Sequence, residues 1–414
     1  MTTAPEPGGA PGALSSLRAN RNFRLLWIGQ VLSDLGTQIG TLAYPLLVLA
    51  LTHSAVIAGA VGTAASAAAF AVRLPAGALA DRLDRRRTMI LCDGARAVAL
   101  AALAVLVATD SVAWPVVMVV AIVDRAGDTL FTPASMAALP LIVADEQLES
   151  AWAVSEGRQY GANLVGPPLG GFLYGLGRAL PFAADAVSYG VSVLTSRGLR
   201  GSFASSTDAA SRRGLWAEAS DGLKHLWRDS LLRAVLIQAP LINFAFNGTL
   251  FTVILGLRRN GVSATAIGGV EAVIMIGGIV GAVAAPQIGR RLSLRQSILL
   301  LTVTGALLML VAAVVIPSPA VAAPLAIPFV LAPATNAALF AMMLRRTPPE
   351  LHGRVNNGLI QVAVALAALA PLASGLVIGA ASARWAMVLF AAALAAVIPI
   401  AILQPLPRTS EGAG

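Results

Sequence analysis

The chain has 414 residues, of which 57% are hydrophobic, 12% charged and 5% aromatic, and its mean hydropathy is +0.78. Because a soluble domain is typically about one quarter charged, this composition excludes a soluble enzyme. The net charge of +9 does not indicate nucleic-acid binding, since that function needs a solvated basic face and the arginines here lie in short clusters between apolar runs. We interpret these clusters as charges that orient a membrane protein.

The cysteine, histidine and lysine contents exclude several kinds of site. Cys92 is the single cysteine, and together with three scattered histidines it offers no metal-ligand spacing. Lys224 is the only lysine and is followed by His225, so a phosphate-binding P-loop cannot occur. We therefore expect no metal, no cofactor and no step driven by ATP bound to this chain.

Charged and Pro/Gly clusters divide the chain into twelve apolar stretches near the length of about 20 residues that a transmembrane helix needs. The predicted cores are 24–50, 55–79, 88–109, 113–139, 150–175, 181–197, 232–256, 262–288, 296–316, 319–344, 354–379 and 384–404. The pattern predicts an all-α membrane protein with twelve transmembrane helices.

The arginines also predict the orientation, because short cytoplasmic loops retain Lys and Arg. The links after spans two, six, eight and ten are arginine-rich, whereas the opposite links are nearly bare and hold His53, Asp110, Arg178, Arg258, Arg259 and Arg384. We expect the arginine-rich links and both termini to lie in the cytoplasm, in a multi-pass protein of the cell membrane.

Five segments follow along the chain: a disordered cytoplasmic tail over 1–22, a six-helix bundle over 23–197, a cytoplasmic linker over 198–231, a second six-helix bundle over 232–405, and a tail over 406–414. The linker places Leu215, Leu223, Leu226 and Trp227 on one side at helical spacing, which predicts an amphipathic helix on the membrane interface. We interpret it as a tether; a regulatory docking site is the alternative.

The two halves of the chain resemble each other. Gly166-Pro167-Pro168-Leu169-Gly170-Gly171 matches Ala370-Pro371-Leu372-Ala373-Ser374-Gly375, which begins 204 positions later. A weaker match relates the loops around Leu83 and Leu292, 209 positions apart. A six-span unit repeated in one orientation predicts two bundles around a central cavity, with a binding site near the middle of the membrane.

The segment from Gly77 to Arg87, Gly-Ala-Leu-Ala-Asp-Arg-Leu-Asp-Arg-Arg-Arg, resembles the signature between spans two and three of the major facilitator superfamily. It departs from that signature at Asp84, where the family usually has glycine. The resemblance implies the major facilitator fold. It also implies a gating motif that holds the cytoplasmic ends of the bundles together when the cavity opens outward, formed here by Gly77, Asp81, Arg82, Arg85 and Arg86.

In span five, Gly166-Pro167-x-x-Gly170-Gly171 is similar to the core of the antiporter motif of drug:proton exporters in that superfamily, although Ala162 replaces the motif's upstream glycine. Phrases such as Phe131-Thr132-Pro133-Ala134 resemble the branch that includes macrolide-efflux and siderophore (enterobactin) exporters. Packing rich in Gly and Pro, with no functional role, is the alternative interpretation of the span-five motif.

Ionisable groups at membrane depth are costly and therefore indicate function. Span one carries Asp34, Gln38 and Thr41 on one helical face, and span four carries Asp124, Asp128 and Thr132 at intervals of four. We predict that Asp34 and Asp128 couple transport to protons, and that Gln38, Thr41, Asp124 and Thr132 line the substrate cavity. A satisfied hydrogen bond between helices is the alternative role for Asp34.

The arginines of these spans are predicted to be structural. We expect Arg125 to form an ion pair with the span-four carboxylates and Arg96 to pair with Asp93 within span three. Arg158 is expected either to extend toward the interface or to pair with Asp93 or Asp128.

The second half of the chain offers mainly neutral polar groups in its spans. Glu271 is the third candidate for proton coupling, ranked after Asp34 and Asp128 because it has no polar neighbour at i±3 or i±4. The remaining predicted cavity residues are Asn243, Asn247, Asn336, Asn357 and Gln361. Isolated polar groups on an apolar wall suit an amphipathic organic molecule.

The first hypothesis is therefore a monomeric secondary transporter in the lipid bilayer. It would export hydrophobic or amphipathic small molecules (a drug, an antibiotic or secondary metabolite, or a siderophore) in exchange for protons, with alternating access and no nucleic-acid partner. An importer or a lipid flippase on the same fold is the alternative. A membrane enzyme or receptor is the third hypothesis, but it predicts a nucleophile or metal cluster that the sequence lacks.

Overall fold

The computed structural model describes residues 17–203, 224, 226–348 and 351–403, and regular structure within these ranges is entirely helical. Side chains of residues 74, 77, 78 and 80–82 lie outside the description, as do most of the predicted linker helix, residues 1–16 of the predicted N-terminal tail and the whole predicted C-terminal tail. Residues 17–22 were predicted to belong to the disordered tail, but they are ordered, because Asn20 caps a helix that begins at Arg21. The helices are α1 Arg21–Thr52, α2 Ala55–Arg82, α3 Arg85–Ala108, α4 Trp114–Ala138, α5 Leu148–Leu176, α6 Leu180–Arg197, α7 Ser230–Arg259, α8 Ala264–Arg291, α9 Leu294–Val315, α10 Ala322–Arg346, α11 His352–Ala365, α12 Ala370–Ala380, α13 Ala383–Ala395 and α14 Val397–Leu403.

Nine of the described helical segments have the length and apolar composition needed to cross a membrane, with α11–α12 and α13–α14 each counted as one segment. The prediction of twelve spans includes three more helices, α4, α5 and α6, each of which carries charged residues. Several of these charged residues are buried or paired between helices. Asp124 and Asp185 are buried, and Arg158 forms an ion pair.

The arginine-rich link between α2 and α3 is fixed to the end of α6. Asp84 caps α3, because its Oδ1 accepts the backbone N–H of Arg87 at 2.8 Å. Arg86 donates to the backbone carbonyls of Ser196, at 3.2 Å, and of Arg197. The aspartate that replaces the family's usual glycine therefore begins a helix in the manner typical of an N-cap.

A capping aspartate also begins α7. Asp229 Oδ1 accepts the backbone N–H groups of Leu231 at 2.8 Å and Leu232 at 3.0 Å, and its Oδ2 lies 2.9 Å from Arg346 Nη1 at the end of α10. Partial burial opposes ionisation of Asp229, but the Leu232 amide and the Arg346 guanidinium outweigh it and lower the pKa of this carboxyl. The link thus ties the start of α7 to the end of α10.

The repeated motifs make equivalent contacts at the opposite, sparsely charged end of the helices. A Cβ on Gly268 in α8 would lie 2.5 Å from the carbonyl oxygen of Pro167 in α5, and a Cβ on Gly59 in α2 would overlap the carbonyl oxygen of Pro371 in α12. Gly268 follows Gly59 by 209 positions, and Pro371 follows Pro167 by 204. The contact of Gly268 with Pro167 and the contact of Gly59 with Pro371 are therefore equivalent in the two halves of the repeat.

A second pair of close approaches obeys the same relation. A Cβ on Gly171 would overlap the carbonyl oxygen of Ala264, and a Cβ on Gly375 would overlap that of Ala55. Glycine is required at these positions because backbone atoms cannot move aside as a flexible side chain can. The helix pairs α5–α8 and α2–α12 thus close this end of the molecule by direct backbone contact.

The buried apolar residues show that the two ends of the molecule differ. At the sparsely charged end one continuous cluster joins residues from both halves, from Leu42 and Leu103 to Ile267 and Phe390. At the arginine-rich end the described clusters are separate, since one draws only on residues up to Phe203 and the others only on residues after position 225. Among the described residues, a buried apolar cluster therefore joins the halves at the sparsely charged end only.

Candidate functional site

A central cavity of about 350 Å³ lies between the two halves of the chain, within the range typical of small-molecule sites. Its walls come from α1, α2, α4, α5, α7, α8 and the α11–α12 segment. Six residues that the sequence analysis placed at functional positions line it: Gln38, Thr41, Asp124, Pro167, Asn247 and Glu271. The remainder of the wall is mainly apolar and includes Phe251 and Met275.

Five other predicted cavity residues do not line this cavity, namely Thr132, Asn243, Asn336, Asn357 and Gln361. Asn243 donates to a carbonyl of its own helix at 2.9 Å, and Asn336 and Asn357 are exposed elsewhere. Gln361 Nε2 donates to the carbonyl of Phe70 in α2 at 3.1 Å. Helical spacing predicted which residues share a face, but not which face each helix turns toward the cavity.

Two charged side chains face the cavity without a charged partner among the described residues. Glu271 is only 7% exposed, and its Oε2 is buried with no hydrogen-bond partner. Arg125, for which an ion pair was expected, also lines the cavity and forms no ion pair within the described part of the chain. The role predicted for Arg125 belongs instead to Arg96.

Arg96 in α3 is fully buried and lies among three carboxylates. Its Nε is 2.9 Å from Asp124 Oδ1, its Nη1 is 3.3 Å from Asp93 Oδ1, and its Nη2 is 3.6 Å from Asp128 Oδ1. The predicted pair with Asp93 is therefore present within a larger cluster. Gly127 in α4 provides the space, because a Cβ there would lie 2.8 Å from the Arg96 side chain.

Hydroxyl groups add further hydrogen bonds to this cluster. Arg96 donates to Thr37 Oγ1 at 2.9 Å and to the Tyr189 hydroxyl, and its guanidinium carbon lies 3.8 Å from the centre of the Tyr189 ring. Tyr189 donates to Asp124 Oδ1 at 3.2 Å, and Tyr44 donates to Asp124 Oδ2 at 3.3 Å. The ion pairs join α3 to α4, and the hydrogen bonds of the hydroxyl groups add α1 and α6 to the cluster.

Asp34 and Asp128 line a second, smaller cleft among α1, α4 and α5, not the central cavity that their helical faces predicted. Arg158 donates to Asp34 Oδ2 and, at 3.2 Å, to the carbonyl of Gln30. Thr132 lines the same cleft and donates to the Asp128 carbonyl at 3.0 Å. Arg158, which was expected either to extend toward the interface or to pair with Asp93 or Asp128, pairs instead with Asp34.

Arg96 connects the cavity with the cleft. Asp124 lines the central cavity, Asp128 one helical turn away lines the cleft, and both are within ion-pair distance of the one guanidinium. The side chain of Asp128 is 34% exposed, whereas that of Asp124 is 3% exposed. The cluster thus has one accessible carboxylate, on the cleft side.

The span-five motif lies where α5 meets α1 and α8. Cβ atoms on Gly166 and Gly170 would overlap Gln38 and the carbonyl oxygen of Ile39 respectively, and Gly171 meets α8. Gln38 donates to Asn163 one turn earlier in α5. The motif therefore brings three helices together beside the cavity.

The predicted gating motif is described only in part, because the side chains of Gly77, Asp81 and Arg82 lie outside the description. The backbone N–H of Arg85 donates to the carbonyl of Phe203 at 3.2 Å. The Arg86 guanidinium donates hydrogen bonds to the last carbonyl groups of α6. This part of the motif fixes the arginine-rich end of the first half.

Sequence reasoning missed Arg96 as the centre of the cluster, together with Tyr44 and Tyr189. One available signal was an arginine inside the apolar run of span three, since a buried guanidinium needs several acceptors. The acidic residues of spans three and four were the obvious source of such acceptors. The tyrosines gave no signal, because their partners are distant in sequence.

Comparison with known proteins places this arrangement among transporters. The sequence profile of the Major Facilitator Superfamily matches residues 26–370. The multidrug efflux pump Tap of Mycolicibacterium fortuitum is 28% identical over 404 residues, covering 94% of this chain and 96% of Tap. The enterobactin exporter EntS of Citrobacter koseri is 26% identical over 302 residues, covering 70% of this chain and 69% of EntS.

The fold is also similar to that of solved transporters. A bacterial homologue of the human lysosomal transporter Spinster, in an inward-facing and unoccupied conformation, superposes with a TM-score of 0.72 at 14% identity. The match covers 96% of this chain and 98% of that structure. These findings confirm the superfamily resemblance and the efflux-pump relatives that the sequence motifs indicated.

Proposed function

This chain belongs to the Major Facilitator Superfamily, and on that premise we propose that it is a secondary transporter that exports hydrophobic or amphipathic small molecules by proton antiport. The apolar cavity wall and the efflux-pump relatives support the substrate class. The ion-pair cluster that links the cavity to a separate acidic cleft is the observation that carries the coupling proposal.

The proposed architecture has twelve membrane spans in two six-helix bundles, 23–197 and 232–405, with both termini in the cytoplasm. Its supports are the arginine-rich links and the equivalent contacts that the repeated motifs make. With this orientation, the joined end faces outward and the separated end faces the cytoplasm, so the structure would be inward-facing. Reporter fusions should place His53, Asp110, Arg178 and Arg258 outside. An odd number of spans, or an external C-terminus, would contradict the topology.

Coupling follows from the charge balance of the cluster. One guanidinium cannot offset three carboxylates in a low-dielectric interior, so bound protons lower the free energy of the cluster. Asp128 is the carboxylate that a proton can reach, and Asp34 lies in the same cleft. We infer that protonation of Asp128 weakens the electrostatic attraction between Asp128 and Arg96. The ion pair between Arg96 and Asp124 on the cavity wall then becomes stronger.

Protonation of Asp34 would act in parallel on another helix contact. The pair between Asp34 and Arg158 joins α1 to α5 beside the span-five motif, so its loss would free these helices to move relative to each other. A change of one unit of charge in a site of low dielectric shifts the balance between two conformations by about a few kcal/mol. That shift is large enough to drive alternating access.

The experiment is uptake of a fluorescent amphipathic dye into inside-out proteoliposomes with an imposed pH gradient. We expect Asp34→Asn and Asp128→Asn to lose gradient-driven accumulation while retaining downhill exchange, because the cavity is intact. Asp145→Asn, at an exposed position between α4 and α5, is the matched control. If both cleft variants still concentrate dye while Glu271→Gln does not, coupling belongs to the second half of the chain. Export in the cell corresponds to accumulation of dye inside these vesicles, so depletion of dye from the vesicles would indicate an importer.

The gating role of Asp81 and Arg85 is proposed from the family resemblance. Each would stabilise docking of the cytoplasmic ends by about 1–2 kcal/mol, so Asp81→Asn should favour the inward-open state. Thiol labelling of a cysteine introduced on the cytoplasmic side of the cavity measures that population. Unchanged labelling and transport in Asp81→Asn would place the gate elsewhere.

A further inference from the structure

We propose that the central cavity recognises molecules that carry both a protonated amine and an anionic group, with Glu271 binding the amine and Arg125 binding the anion. This inference rests on the proposed transport function and names the charge pattern of its substrates. Both side chains line the same cavity, and they come from different halves of the chain, α8 and α4.

The first observation is the isolation of Glu271. The side chain is more than nine-tenths buried, its Oε2 has no partner, and no arginine or lysine within the described ranges reaches it. A buried carboxylate without a partner is costly. A ligand ammonium would supply both the charge and the hydrogen bond that the protein does not provide.

The second observation is that Arg125 forms no ion pair with the described carboxylates near it. Asp124 and Asp128 flank it closely in sequence, yet both are paired with Arg96. The Arg125 side chain makes no hydrogen bond within the described residues, although it faces the cavity. A guanidinium cannot be neutralised by loss of a proton, so a carboxylate or phenolate of a ligand is its natural partner.

Glu271 and Arg125 do not satisfy each other, because no atom pair between them falls within the ion-pair distance of 4.0 Å. The cavity therefore holds a carboxyl group and a guanidinium group, not paired with each other, in a mainly apolar wall that includes Leu250, Phe251 and Met275. An amphiphile with both charges would neutralise both groups and bury its apolar body against that wall. A ligand with one charge would leave one group unsatisfied.

The test uses four dansyl probes of similar size with the transporter purified in nanodiscs. Nε-dansyl-lysine carries both charges, dansylcadaverine only the amine, dansyl-6-aminohexanoate only the carboxylate, and dansyl-pentylamide neither. Binding is measured by the change in dansyl fluorescence. Glu271→Gln and Arg125→Gln are the variants, and Glu146→Gln and Arg178→Gln, at exposed positions outside the cavity, are the matched controls.

We expect Glu271→Gln to weaken binding of dansylcadaverine at least tenfold and to leave dansyl-6-aminohexanoate unchanged. Arg125→Gln should do the reverse, and Nε-dansyl-lysine should respond to both. Dansyl-pentylamide, which should bind every variant alike, shows that the cavity remains folded. The proposal is overturned if the variants affect charged and neutral probes equally, or if neither variant distinguishes the amine from the carboxylate.

A separate measurement distinguishes this proposal from the transport function on which it rests. If the charge-selective binding is observed but no probe moves in proteoliposomes with a pH gradient, the recognition site stands and the export function fails. If Glu271→Gln abolishes gradient-driven movement of the neutral probe, Glu271 is a coupling group and the recognition proposal is overturned.

Discussion

Gly268→Ala tests whether the close contact between α8 and α5 holds the sparsely charged end shut. The new methyl carbon would lie 2.5 Å from the Pro167 carbonyl oxygen and 2.9 Å from the Pro168 Cα, so the helices must separate. Overpacking of this kind costs about 1–3 kcal/mol, which corresponds to a shift of about 5- to 150-fold in a conformational equilibrium. The ratio of molecules open at this end to molecules closed there should rise by that factor.

Gly269→Ala is the matched control, because a Cβ at Gly269 meets no atom within 4 Å while the gain in helix propensity is the same. The assay is labelling of a Leu250→Cys reporter, which lines the cavity, by an impermeant thiol reagent outside intact cells. The buried Cys92 is first replaced by alanine. Equal labelling rates in the two variants would refute the reasoning, provided that both show the wild-type melting temperature within a few degrees.

Gly59→Ala should have the same effect as Gly268→Ala, because its Cβ would overlap the equivalent carbonyl of Pro371; a response at only one of the two sites in the labelling assay would contradict the symmetry of the closure. Arg96→Gln should destabilise the fold by about 3–5 kcal/mol, since it leaves buried carboxylates without a cation, and its melting temperature in detergent should fall well below that of the exposed control Arg178→Gln. Asp229→Asn should lower stability by up to about 1 kcal/mol at neutral pH. The lowered pKa of Asp229 means that its contribution is present above the ordinary carboxyl pKa and is lost as the pH falls through the folded-state pKa. The melting temperatures of wild type and Asp229→Asn should therefore converge below about pH 4, and a constant difference would show that the ionised carboxylate is not involved.

The all-helical membrane class and the superfamily could be predicted from the sequence, because they depend on composition, periodicity and local motifs. Apolar runs of the length of a membrane span, arginines in alternate links and the glycines of span five are all properties of contiguous residues. The repeat offset of 204 likewise identified Pro167 and Pro371 as equivalent before their contacts were known.

The partners of the polar side chains were decided only by the tertiary structure. Helical spacing correctly grouped Asp124 with Asp128. The packing of α4 against α3, however, places Asp124 at the cavity and Asp128 at the cleft, and both contact Arg96. The same packing leaves Arg125 and Glu271 facing the cavity without a partner. Such assignments arise from contacts between residues far apart in the chain, about which the local pattern of a single sequence carries no information.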